Sequence, residues 1–108
     1  MSEFDSTVES LIAVIHNTKE YQAFLHEKEK VARFPELKQK INEYRLKNYE
    51  LQNSTNDDEL FDKMEEFDRE YEEFRDDPLV SDFLEAELDF CRMMQDMNMR
   101  ITAALDFD

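Results

Sequence analysis

Residues 59–78 read ELFDKMEEFDREYEEFRDDP. Leu60, Met64, Phe67, Tyr71 and Phe74 are separated alternately by four and three positions, with Phe61 beside them. That interval returns side chains to one face of a helix and does not fit the two-residue alternation of a strand. The positions between them are almost all Asp, Glu, Lys or Arg, so the segment predicts an amphipathic helix with one aromatic stripe. Asp77-Pro78 ends it. A residue before proline is steered out of the α region, and Asp77 can cap a following helix that has Pro78 as its first residue.

Downstream, Val80, Leu84, Cys91, Met94, Ile101 and Leu105 line one seam of that next helix, broadened by Phe83, Phe90 and Met97. Upstream, Asn53-Ser54-Thr55-Asn56-Asp57-Asp58 is a run of turn formers without an apolar residue. It separates the acidic helix from a third helix that opens at Phe34-Pro35 and carries Leu37, Ile41, Tyr44 and Leu51. A second helix holds Tyr21, Phe24, Leu25 and Val31, with Asn17 and Glu20 spaced as a capping box. A short first helix, capped by Asp5 or Ser6, places Val8, Leu11, Ile12 and Ile15 on one face. The expectation is one all-α domain over residues 1–108, with about five helices packed as antiparallel hairpins.

Composition narrows the chemistry. The 108 residues include no glycine and no tryptophan, two prolines and one cysteine. Phosphate-cradling and dinucleotide-binding loops and tight hairpins need a residue tolerant of positive φ, usually glycine, so these classes are excluded. Leu, Ile, Val and Phe make up a quarter of the chain, enough for a core in spite of the charge. A chain this short buries only about two-thirds of its unfolded surface, and its long stripes predict a partner chain over the remainder. Acidic Glu3 and Asp5 near the start do not suit a signal peptide, and no apolar run is long enough to span a bilayer. A cytoplasmic protein without membrane contact is expected.

The net charge is −15, from 28 acidic and 13 basic residues. Residues 57–77 hold twelve acids against three bases, whereas Lys28, Lys30, Arg33, Lys38, Lys40, Arg45 and Lys47 make the middle of the chain basic. Either these are solvated faces that attract each other within or between subunits, or the acidic helix is a docking surface for a basic partner. Direct nucleic-acid binding is not expected, because the charge repels phosphates.

No catalytic constellation emerges. Di-iron bundles need Glu-x-x-His, but alanines stand three residues before His16 and His26. An EF-hand loop counted from Asn53 puts Asp58 at the glycine position and Met64 at the terminal acid position. Cys91, on the apolar seam, reads as a small buried hydrophobe, with a redox or cluster-ligating thiol as the alternative. Met93, Met94, Met97 and Met99 suit a core, a self-association face or an adaptable partner groove. Glu87 and Asn98 fall on the seam too, where they either fix helix register or reach solvent.

Two stretches read together resemble a known family. Asp77-Pro78-Leu79-Val80-Ser81-Asp82-Phe83-Leu84-Glu85-Ala86-Glu87 is similar to the N/D-P-L-V-x-x-Y/F-L-E-A-E segment of the YlbF/YmcA family of small helical bacterial regulators. Lys19-Glu20-Tyr21 and the Phe34-Pro35-Glu36-Leu37 turn match the same family in the same order, and the resemblance runs from about Phe4 to Leu105. It implies a non-enzymatic protein that self-associates and acts through partners in the control of competence, biofilm formation and sporulation. The implied partners are further copies of itself, related helical regulators and the ribonuclease Y machinery. Two departures stand out. Phe34 occupies a position where the family has Asp before Pro, and Cys91 is alone where some members carry further cysteines linked to iron–sulfur clusters. No cofactor is expected.

The expected oligomer or partner interface combines Leu60, Met64, Phe67, Tyr71 and Phe74 with Leu84, Glu87 and Met94, since aromatic anchors are enriched at interfaces. A regulatory adaptor is the leading functional expectation. The alternative is an acidic inhibitor that mimics nucleic acid for a basic protein, and a third is a metal-dependent enzyme acting through its acidic clusters.

Overall fold

A computed structural model describes residues 2–54 and 57–106. Six helices follow one another: α1 (Glu3–His16), α2 (Lys19–Ala32), α3 (Pro35–Ser54), α4 (Asp57–Glu70), α5 (Glu72–Asp76) and α6 (Pro78–Ala104). No strand occurs among the described residues, so the protein is all-α. The predicted turn at 53–58 includes Thr55 and Asn56, which lie outside the described residues.

The two prolines start helices as their chemistry requires. Pro35 is the first residue of α3 and Pro78 the first of α6. Asp77 is extended at φ −61° and ψ 120°, and its Oδ1 accepts from the Leu79 amide at 3.0 Å, which satisfies one of the unpaired donors of the first turn. The other two caps differ from expectation. Ser2, not Asp5 or Ser6, caps α1, its Oγ accepting from the Asp5 amide at 3.1 Å. Thr18, not Asn17, caps α2, with its Oγ1 accepting from the Tyr21 amide at 3.2 Å and donating to the Ile15 carbonyl at 2.7 Å. Asn17 closes α1 instead, where its Nδ2 donates to the Ala13 carbonyl. A chain without glycine must also end its last helix without one. Asp106 takes the left-handed position after α6, with φ 52°, as Asp and Asn do more readily than other residues with a Cβ.

The acidic helix is not continuous. It divides at Tyr71, where φ −106° and ψ 10° leave helical geometry. Arg75 reaches back across this point. Its Nη2 donates to the Asp68 backbone carbonyl at 3.1 Å and its Nη1 lies 3.4 Å from Asp68 Oδ1.

The chain forms two compact units. One comprises Met1–Lys28 with Phe83–Asp108 and the other Glu29–Asp82; the division falls inside α2 and inside α6. In the 29–82 unit, α3 runs antiparallel to α4 and α5, as the pairings Lys47–Glu70 and Tyr44–Phe74 require. Its core is Val31, Ile41, Tyr71, Phe74 and Val80. In the other unit, α2 and α6 are antiparallel, with Phe24 meeting both Phe83 and Phe90. Phe83 and Ala86 are buried there.

Candidate interaction surface

The 29–82 unit is organised around one tyrosine. Tyr44 stacks on Phe67 with ring centroids 5.2 Å apart, and meets Tyr71 edge-on at 5.1 Å and Phe74 at 5.6 Å. Cations border the cluster. Lys47 Nζ lies 5.4 Å from the Tyr71 ring centre and Lys40 Nζ 5.3 Å from that of Phe74, within the reach of a cation–π attraction. Lys47 also bonds Glu70 Oε1 at 3.0 Å. The Glu70 hydrogen bond, followed by the contact with Tyr71, raises the Lys47 pKa above the ordinary 10.5. Here the basic and acidic faces do meet within one chain. Both partners are more than half exposed, so this pair orients the helices more than it stabilises them.

The eight residues expected at an interface are distributed between the two units. Phe67, Tyr71 and Phe74 come together around Tyr44, where Tyr71 and Phe74 are buried. Leu60 is half-buried on the same helix, while Met64 and Phe61 are exposed. Leu84, Glu87 and Met94 belong to the other unit and are half-buried.

In that second unit Leu84 and Met94 of the predicted seam of α6 are half-buried, and beside them Phe90 stacks on Phe24 at 5.5 Å and meets Tyr21 at 5.5 Å. Cys91, one residue further and about 100° round the helix, is exposed. The expected burial of its thiol is thereby corrected: Phe24 of α2 meets α6 at Phe83 and Phe90, and Cys91 lies outside that contact. Asn98 is exposed.

The apolar stripe predicted on α1 is only partly covered. No residue of this helix is buried. Phe4 is 76% exposed, Val8 37%, Leu11 38% and Ile12 41%. Towards the end of α6, Met93, Met97, Ile101 and Ala104 line an open groove beside the Asp96–Arg100 ion pair, and Leu105 is 72% exposed.

Among the described residues no three His, Cys, Asp or Glu side chains converge as metal ligands. No described helix is long and apolar enough to cross a membrane. The exposed side chains are of two kinds: acidic residues on α4 and α5, and apolar residues, several of them only partly exposed, on α1 and at the end of α6. A family model described as control of competence regulator ComK, YlbF/YmcA, matches residues 5–106. No curated protein and no solved structure matches the chain.

Proposed function

We propose, from the premise that this chain belongs to the YlbF/YmcA family of competence regulators, that it is a non-enzymatic adaptor that self-associates in the cytoplasm and regulates by bringing proteins together. The observation that carries this reading is the exposed apolar surface of α1 and α6. Exposed apolar surface of this extent marks sites of protein contact. Related helical regulators and the ribonuclease Y machinery are the proposed partners, with RNA processing or developmental control as the process served.

The test is recovery of the tagged protein from its own host at native expression, in low and in high salt, alongside a competence assay of a deletion strain. Co-purification of related regulators or ribonuclease Y components in both salts, with altered competence, supports the adaptor. Recovery of the protein alone, with competence unchanged, contradicts it.

A second reading is favoured by one observation, the twelve acidic residues within 57–77. An acidic rod can occupy the phosphate-binding face of a basic protein. That mimicry requires binding to fall steeply as salt rises, so recovery of a nucleic-acid-binding protein in low salt alone would favour it.

A further inference from the structure

We infer that Arg75 is a latch that holds the acidic helix in two pieces, and that α4 and α5 form a conformational device whose second state is one continuous helix. Tyr71 alone separates α4 from α5, and the helical ladder is only partly cut there. The Tyr71 amide donates to the Phe67 carbonyl at 3.1 Å, and the Tyr71 carbonyl accepts from the Arg75 amide at 2.9 Å. Between these two bonds, the Asp68 carbonyl accepts from Arg75 Nη2 at 3.1 Å. In a continuous helix its donor would be the Glu72 amide. One carbonyl has exchanged a backbone donor for a side-chain donor seven residues away.

Helices are interrupted at proline, at glycine or serine pairs, at π-bulges, or where a side chain or water enters the ladder. Residues 68–76 read DREYEEFRD, without proline, glycine or serine, and no π-helix occurs among the described residues. The spacing of Leu60, Met64, Phe67, Tyr71 and Phe74 runs through the break unchanged, so the apolar pattern suits the continuous helix. What remains is the Arg75 guanidinium. It bonds the Asp68 carbonyl and also lies 3.4 Å from Asp68 Oδ1, a two-point contact that its planar fork favours. Its Nε is buried without a hydrogen-bond partner. An unsatisfied buried donor is a cost to the latched state, which narrows its advantage over the straight one. Release would return the Asp68 carbonyl to the Glu72 amide and re-aim the carboxylates of Glu72, Glu73 and Asp76 relative to those of α4. The acidic face thus has two arrangements, whichever partner it meets.

Amide hydrogen exchange and ¹³Cα shifts of the full chain, of Arg75→Met and of Asp68→Asn test this. None of these readouts depends on a partner or on self-association, so they stand apart from the adaptor reading. Methionine keeps an unbranched stem and a high helix propensity but has no guanidinium. In Arg75→Met the Glu72 amide should exchange about tenfold more slowly, as one regained hydrogen bond implies, and the Tyr71 ¹³Cα shift should move to a helical value. Asp68→Asn keeps the backbone carbonyl and should change that exchange by less than about threefold. A Glu72 amide no slower in Arg75→Met, or already as protected as the Tyr71 amide in the wild type, overturns the inference. Should Arg75→Met lose its helical circular dichroism, the guanidinium of the wild type decides. Separate, slowly exchanging Nη signals support the latch, and averaged signals overturn it.

Discussion

Tyr44 and Phe67 lie ring on ring, with centroids 5.2 Å apart and planes 24° apart, and this pair fastens α3 to α4. Tyr44→Ala removes a ring that touches three others. The expected loss is about 2–4 kcal/mol, measured by urea unfolding. Tyr44→Phe keeps the stacking and should cost less than about 1.5 kcal/mol. A Tyr44→Ala variant as stable as the wild type would refute the assignment of this cluster as the organising core of its unit.

The cap of α2 separates two neighbouring residues. Thr18→Ala removes the acceptor for the Tyr21 amide and should cost about 1 kcal/mol. Asn17→Ala removes an exposed side-chain contact and should cost no more than about 0.5 kcal/mol. Thermal denaturation of both variants checks the order.

Lys47 should titrate above 10.5, because the hydrogen bond to Glu70 favours its charged form. The folded value exceeds the unfolded one, so the associated stabilisation is complete below pH 10.5 and is lost as pH rises through the folded value. NMR titration of the Lys47 side chain reads this directly. Glu70→Gln should move the transition down towards 10.5, and an unmoved transition would count against the contact.

Cys91 is exposed on α6. It should react with a thiol reagent in native buffer as a solvent-accessible cysteine, and Cys91→Ser should change stability by less than about 0.5 kcal/mol. Reaction only after denaturation would show that the thiol is covered.

What was legible in the sequence was local. Pro35 and Pro78 start helices because a fixed φ and a missing amide act on the residue itself, and the stripe from Leu60 to Phe74 announces its helix through spacing alone. The break at Tyr71 was not legible, since the spacing from Leu60 to Phe74 runs through it without interruption. Nor could spacing choose between Phe90 and Cys91 as the inward residue of α6. Both lie on a broad apolar stripe, and Phe24 of another helix makes the choice. Thr18 and Asn17 are both good caps, and only the exit geometry of α1 decides between them. For the candidate site, periodicity disclosed the stripe of α1 but not its exposure, because what covers a face is a tertiary matter. The family resemblance at Asp77–Glu87 carried the regulatory reading, which no side-chain constellation could have supplied.

Sedimentation equilibrium of the unmodified chain in low and high salt tests the account most directly. Self-association through apolar surface predicts a particle of twice 13.1 kDa whose dissociation constant falls as salt rises. A particle of 13.1 kDa at both salts throughout the micromolar range would contradict it.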